Sequence, residues 1–168
     1  MNHRRLLLIS LLLPGAAFAL ASDQQLPLSV QADKADINHK SGIGVYSGNV
    51  LVDQGTSHLQ AASAETYTGK NNELKKAIAK GLKDQPAQFR TVTDPSKPEL
   101  KATADQIEIY PKENKIVLVG NAIVTQGTDT FSAPRIEYDT KEQHVVTTAS
   151  ETGRTTIVIH PNKAKAAS

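Results

Sequence analysis

The chain matches itself at a fixed offset of 72 residues. Ala32-Asp33 returns as Ala104-Asp105, Gly48-Asn49 as Gly120-Asn121, and Gln54-Gly55-Thr56 as Gln126-Gly127-Thr128. Ala61 and Glu65 return as Ala133 and Glu137, and residues 32–65 set against 104–137 share 13 identities in 34 positions without a gap. Self-similarity at a fixed period marks units that cannot bury their apolar face alone and must stack on a neighbour. Such a chain is expected to work along the stack rather than at one enclosed catalytic pocket.

Residues 1–21 read as a cleaved secretory signal peptide. Arg4 and Arg5 make a basic start, Leu6 to Leu13 an apolar core and Pro14-Gly15 a break, and small residues recur at Ala17, Ala19 and Ala21. Cleavage after Ala21 leaves 147 of 168 residues, and a cut after Ala19 reads nearly as well. The apolar run is short for a membrane anchor, which needs about 20 apolar residues. The full chain carries 19 basic and 17 acidic side chains, so losing Arg4 and Arg5 leaves 17 against 17. That balance offers no basic stripe for nucleic acid. With no cysteine, the exported domain has neither disulfide staples nor a thiol for a lipid anchor. A single domain is expected over residues 22–160, with residues 161–168 a flexible tail.

Inside the long repeat runs a shorter rhythm of strand, polar turn, strand. Ile37 to Ile43, Tyr67 to Leu74, Tyr110 to Ile116 and Tyr138 to Val145 each set five or six polar or small residues between apolar ones, as hairpin corners do. The flanks are rich in Val, Ile, Thr and Tyr, and Gln106-Ile107-Glu108-Ile109 alternates with period two. Glu73 to Leu82 has helical spacing, but the corner alignment sets Leu74 against Val145, the start of a β-branched run, and predicts a strand. Asp84 to Glu99, with three prolines, reads as a strand pair joined by a mobile loop. An all-β fold follows: a sandwich, a jelly roll or a short solenoid. With Phe89 and Phe131 the only phenylalanines after cleavage and no tryptophan, aliphatic and alanine side chains line the interior. Such a lining leaves either a groove or a solid core.

Catalytic patterns are missing from the sequence. His39, His58, His144 and His160 stand singly, without metal-ligand spacing, and no Gly-rich phosphate loop or nucleophile elbow occurs. No metal and no cofactor are expected. The Gly-Asn pairs read as bends or bulges, since both residues tolerate positive φ. Asp33 and Asp105, like Glu65 and Glu137, recur as repeat equivalents, which favours matching structural roles over a paired-carboxylate hydrolase.

Five segments carry a resemblance across nearly the whole mature domain. They are Ala32-Asp33 with Ile37; Tyr46-Ser-Gly-Asn-Val-Leu-Val-Asp-Gln-Gly-Thr56; Gln85-Pro-Ala-Gln-Phe89; Ala104-Asp-Gln-Ile107; and Val119-Gly-Asn-Ala-Ile123 with Gln126-Gly127. In this order, behind an export signal, the chain resembles the OstA-like family of lipopolysaccharide-transport proteins. The resemblance implies an open, twisted β-jelly roll of stacked V-shaped antiparallel strands. It implies a non-enzymatic role in the periplasm of a Gram-negative bacterium, bridging the inner and outer membranes and carrying lipopolysaccharide by its lipid A moiety. The implied partners are an inner-membrane-anchored jelly-roll protein, the N-terminal periplasmic domain of the outer-membrane translocon, and further copies of the chain joined head to tail. A membrane-tethered relative of the same pathway and a secreted polysaccharide-binding scaffold are the alternatives; the mass of the mature protein separates the first, because a tethered form keeps residues 1–21.

By the same resemblance Leu28, after Pro27, and Phe89, after Pro86-Ala87, are expected at the lipid, while Ile109 stands where the family can carry an aromatic. Alternation and repeat equivalence add Ile37, Val52, Ile107, Leu118, Val124 and Phe131, each of which reads equally as ordinary core. The expected edge strands for joining are Leu26 to Val30 and Thr155 to His160, with Leu26, Val30, Thr155, Ile157 and Ile159 on them.

Overall fold

Alternating and β-branched segments favour extended backbone, and a long strand can keep one apolar face only if every bend is paired with a change of register. The computed structural model describes residue 23 and residues 26–71, 73–150 and 153–160. The export signal over 1–21 and the tail over 161–168 lie outside them. Twelve strands occur among the described residues: β1 Ser29–Gln31, β2 Lys34–Asn38, β3 Ile43–Gln54, β4 Ser57–Thr68, β5 Leu74–Lys80, β6 Ala87–Thr91, β7 Leu100–Ala104, β8 Gln106–Tyr110, β9 Lys115–Gln126, β10 Asp129–Asp139, β11 His144–Thr148 and β12 Thr156–Val158. All belong to one antiparallel sheet, and the four polar corners each connect consecutive strands.

The sheet is two leaves that share four long strands. One leaf runs β2-β3-β4-β5-β8-β9-β10-β11 and the other β1-β3-β4-β6-β7-β9-β10-β12, so β3, β4, β9 and β10 each contribute one half to either leaf. The bend between halves is a bulge. Gly48-Asn49 on β3 oppose the single residue Ala62 on β4, and Gly120-Asn121 on β9 oppose Pro134 on β10. Gly48 and Gly120 have φ of 78° and 77°, and Asn49 and Asn121 follow at 46° and 47°. Each bend is clasped from the neighbouring strand. Asp33 N–H donates to Gly48 O at 2.9 Å while its carboxylate accepts from Asn49 Nδ2 at 2.9 Å, and Asp105 treats Gly120 and Asn121 alike at 2.9 and 3.0 Å. The repeated aspartates therefore have structural roles.

The bulge keeps the inner face apolar through the bend. On β4 the inward positions change from Leu59 and Ala61 to Ala64 and Thr66, and on β10 from Phe131 and Ala133 to Ile136 and Tyr138. Next to the bends the inner residues are small: Ala61, Ala64, Ala79, Ala87, Ala104, Ala122 and Ala133 are all buried. Farther along both leaves stand Leu59, Phe89, Leu100, Val124, Ile107, Ile116 and Leu118. Alanine fills the narrow vertex of the V and larger side chains fill its opening.

The 72-residue repeat is visible in this architecture. β2, β3 and β4 recur as β8, β9 and β10, and β1 recurs as β7. Even the end contacts repeat, since Gln54 Nε2 donates to Leu26 O at 3.0 Å and Gln126 Nε2 to Pro98 O at 3.1 Å. Beyond residue 68 the offset changes. Ser63 pairs with Lys80 and Arg135 with Thr148, so β11 follows β5 by 68 residues, because the turn before β11 is four residues shorter. Ala77, not Leu74, is therefore the counterpart of Val145. Glu73 to Leu82 does contain a strand, and the proline-rich segment joins the antiparallel pair β6 and β7.

The first strand begins at Ser29 rather than Leu26. Pro27 has no N–H to donate, and the Gln54 side chain takes the Leu26 carbonyl in place of a backbone partner. The last strand is limited to Thr156–Val158. Thr155 Oγ1 donates to Thr147 Oγ1 at 2.9 Å, and His160 N–H turns to the Asp129 carboxylate at 3.0 Å.

On the outer face of one leaf the charges are cross-linked in rows. Lys80 Nζ lies 3.5 Å from Glu65 and Lys76 Nζ 3.3 Å from Glu108. Lys76 and Lys115 also stand over the Tyr110 ring, 5.1 and 4.9 Å from its centre. The Tyr67 hydroxyl, then Lys80 and Lys76, draws the Glu65 carboxyl below its usual range against a smaller opposing effect of burial. Burial pushes the Glu108 carboxyl up, but hydrogen bonds from Tyr110, Lys76 and Gln106 together outweigh it and hold the group below 4.5.

Two outcomes are expected. Gly120→Ala forces a side chain into left-handed backbone against the Asp105 carboxylate, and should cost about 2 kcal/mol or more in urea unfolding. Glu108→Gln removes a carboxylate whose folded pKa is depressed, so its contribution is complete above the unfolded value and is lost as pH falls through the folded one. The variant should lose roughly 1 kcal/mol at neutral pH, and urea midpoints of variant and wild type should converge below about pH 4.

Candidate functional site

The inner faces of the two leaves do not fill the space between them. An apolar cavity of about 130 Å³ is walled by Leu28, Val30, Val52, Leu59 and Phe89 from one leaf and by Tyr46, Ala77, Ile107, Ile109 and Ile116 from the other. A second, of about 190 Å³, lies toward the end of the repeat between Leu100, Val124 and Phe131 on one side and Leu118, Ile136, Tyr138 and Val145 on the other. Phe89 and Ile116 line both. They form the partition of a single trough that runs across the strands.

Each wall follows from strand parity and from the repeat. Ile107 and Ile109 are alternate residues of β8, and Leu118 and Val124 sit on the even-numbered face of β9 on either side of its bend. Phe89 is held on β6 between Leu59 on β4 and Ala102 on β7, both small enough at that height to leave its ring in the trough. The side chain is 6 % exposed.

Of the positions expected at the ligand, Leu28, Val52, Phe89, Ile107 and Ile109 come together in the first cavity, and Leu118, Val124 and Phe131 in the second. Ile37 lines neither. It is 52 % exposed on β2, at the open end of its leaf, whereas its counterpart Ile109 has β5 beside it. Leu28 is 46 % exposed while its counterpart Leu100 is buried. Leu59, Ile116, Tyr46 and Val30 also wall the trough. Repeat equivalence holds the signal for two of them, since Leu59 is the counterpart of Phe131 and Tyr46 of Leu118.

The trough wall is mostly apolar, and the buried Asp23 carboxylate that reaches the first cavity accepts from the Thr56 N–H and hydroxyl at 3.1 and 2.6 Å. Burial, with a lesser effect of Asp139, raises the Tyr138 hydroxyl above its usual range, so it stays neutral. Polar groups gather at the rim, where Lys97 Nζ donates to Gln143 Oε1 at 3.2 Å across the mouth of the second cavity. The buried Thr91 hydroxyl is paired with Ser57 Oγ at 2.9 Å. Glu65 and Glu137 point outward to Lys80 and Arg135 and away from the trough. Among the described residues no group of three or more His, Cys, Asp or Glu side chains could hold a metal ion. Such a surface can hold aliphatic chains.

The two ends of the stack differ from its middle. Among the described residues β1 and β2 pair only with β3, and β11 and β12 only with β10, which leaves four strand edges without a described neighbour. Most of the exposed large apolar side chains lie at these ends: Leu26, Leu28, Ile37, Ile43 and Val45 at one, Val146, Ile157, Val158 and Ile159 at the other.

Comparison with known proteins agrees with this geometry. Residues 29–144 match the model of the family described as "LptA/(LptD N-terminal domain) LPS transport protein". The chain is 34% identical over 155 residues to the lipopolysaccharide export system protein LptH of Pseudomonas aeruginosa, covering 88% of this chain and 86% of that protein. It is 29% identical over 147 residues to the lipopolysaccharide export system protein LptA of Escherichia coli K12, covering 88% and 78%. The crystal structure of P. aeruginosa LptH, described as the LptA-homologous periplasmic component of the lipopolysaccharide transport device, superposes with a TM-score of 0.76 at 32% identity, over 83% of this chain and 99% of that one.

Phe89→Ala should merge the two cavities. The expected cost is about 3 to 5 kcal/mol in urea unfolding, and the variant should take up an environment-sensitive apolar dye more strongly than wild type.

Proposed function

The chain belongs to the LptA/(LptD N-terminal domain) LPS transport protein family, and from that premise we propose that it carries lipopolysaccharide through the periplasm with the acyl chains in the trough and the sugars in water. The observation that carries this reading is the unbroken aliphatic wall between the leaves, from Leu28 and Val52 through Phe89 to Leu118 and Phe131. Each methylene left in water costs about 0.8 kcal/mol, so several chains crossing an aqueous space need a sleeve of this kind. The trough carries out no reaction; it lowers the cost of transit.

Leu28, Val52, Phe89, Ile107, Ile109, Leu118, Val124 and Phe131 make the lipid contacts. Ile37 joins them once a neighbour covers β2. The export signal over 1–21 directs the chain to the periplasm, and residues 22–160 are the working domain. At its ends the unpaired edges accept strands of similar jelly rolls: other copies of the chain, an inner-membrane-anchored member of the transport complex and the N-terminal domain of the outer-membrane translocon. Exposed edges are an aggregation hazard unless they have partners, and the apolar residues clustered on these edges support that use.

A photo-reactive residue at Phe89, Leu118 or Val124 should cross-link to lipopolysaccharide, and one at outward-facing Lys101 should not. No adduct at any inward position would overturn the carrier reading. Leu28→Asp puts a charge at the half-exposed lip and is expected to weaken lipopolysaccharide binding about tenfold or more, with little change in unfolding midpoint.

A further inference from the structure

The chain contains its own model of a joint. Where the first repeat meets the second, β5 lies against β8 and β6 against β7, with Ala77 opposite Ile109 and Phe89 opposite Ala102. β11 and β12 are the counterparts of β5 and β6 at an offset of 68, and β2 and β1 the counterparts of β8 and β7 at 72. Transposing the internal seam therefore fixes a register between copies. Val145 falls opposite Ile37 of the next copy, and Ile157 opposite Val30 of the next copy.

The transposition has a built-in check. It sets the five residues of β11, His144–Thr148, against the five of β2, Lys34–Asn38, and the three of β12, Thr156–Val158, against the three of β1, Ser29–Gln31, with no overhang on either leaf. It also covers Ile37, Val146, Ile157 and Val158, which are exposed in the single chain.

One substitution across the repeat changes the chemistry of the seam. In the internal copy Lys76 is bound to Glu108, 3.3 Å away, and Tyr110 stands beside them. At the end of the chain His144 holds the place of Lys76, and at the start Asp36 holds the place of Glu108 and Asn38 that of Tyr110. Resting on the head-to-tail reading above, we propose that copies join in the register of the internal seam and that His144, beside Asp36 of the next copy, makes the joint proton-sensitive.

The surroundings favour this contact. On its own sheet His144 is paired with Asp139 of β10, whose carboxylate already accepts from the N–H groups of Lys141 and Glu142 at 2.9 and 2.8 Å. Diagonal to His144 on the same face of β10 lies Glu137, held by Arg135 at 2.8 Å, and Lys115 on β9 stands beyond Asp139. From the next copy β2 presents Asp36, Asn38 and Lys34, the following turn His39 and Lys40, and β3 behind Asp36 the uncharged Val45. Asp36 is the carboxylate across the seam that lies diagonal to His144, as Glu108 lies to Lys76. An imidazole gains its charge between about pH 8 and 5, so the joint gains on mild acidification an attraction that the internal Lys76–Glu108 seam holds across that range.

Sedimentation of the mature protein at pH 8 and pH 6 tests this. Wild type should associate about two- to fivefold more tightly at pH 6, the range expected of an exposed ion pair. His144→Gln and Asp36→Asn should remove that gain, and His144→Lys should associate tightly at both pH values. A pH response equal in wild type and His144→Gln would overturn the proton-sensing role. Register is read at one pH by cysteine cross-linking in this otherwise cysteine-free chain. Ser29→Cys with Val158→Cys should link copies, whereas Ser29→Cys with Thr156→Cys should not, and the opposite pattern would overturn the register. If copies stay monomeric and unlinked while lipopolysaccharide still binds, the joint fails and the carrier reading stands.

Discussion

Everything in this molecule depends on bending twelve-residue strands without exposing their apolar face. A strand has a side-chain period of two, so a bend made by one extra residue would turn the rest of the strand inside out. Here the extra residue belongs to a bulge whose partner strand changes phase at the same point, and Gly48-Asn49 and Gly120-Asn121 supply the positive φ that the bulge requires. Asp33 and Asp105 complete the bend by holding both the glycine carbonyl and the asparagine amide. With the bend fixed, the inner faces of two leaves oppose each other at an angle. Alanines are then needed at the vertex, and larger aliphatic residues have room only toward the opening.

That geometry explains why the protein has a trough and no finished core. A closed barrel removes its edges, but an open V stacked along one direction leaves two ends, each with a strand edge on either leaf. The cost of those ends is visible as exposed Ile37, Val146, Ile157 and Val158. Of these, Ile37 and Ile157 follow the inward parity, so in the proposed head-to-tail joint they would extend the wall. In that reading chain folding and assembly use one interaction, antiparallel pairing of bent strands over an apolar inner face.

Much of this was legible in the residues. The ungapped repeat over 32–65 and 104–137 located the bends, the corners and matched pairs such as Val52 with Val124, and parity then placed Ile107, Leu118 and Phe131 on the inner face. What escaped has physical causes. Leu59 sits between His58 and Gln60, and Ile116 is one member of the run Ile116-Val117-Leu118-Val119; neither stands out until strand pairing sets them across from Phe89 and Ile109. The corner alignment points to Leu74 as the counterpart of Val145, whereas ladder register makes it Ala77, because turn length is free to vary and register is not, and the offset drops from 72 to 68 at the shorter turn. Strand limits at the ends depended on side chains, Gln54 and Asp129, that displace backbone partners. Ile37 follows the inward pattern yet meets no cavity, because among the described residues β2 has a neighbour on one side only.

The central claim is that this surface recognises acyl chains and not sugar. Competition against labelled lipopolysaccharide, with native lipopolysaccharide in one series and the fully deacylated saccharide backbone in the other, tests it most directly. The native molecule should displace the label with a negative heat-capacity change, as burial of apolar surface requires, and the deacylated molecule should not compete. Equal competition by the two would contradict the account.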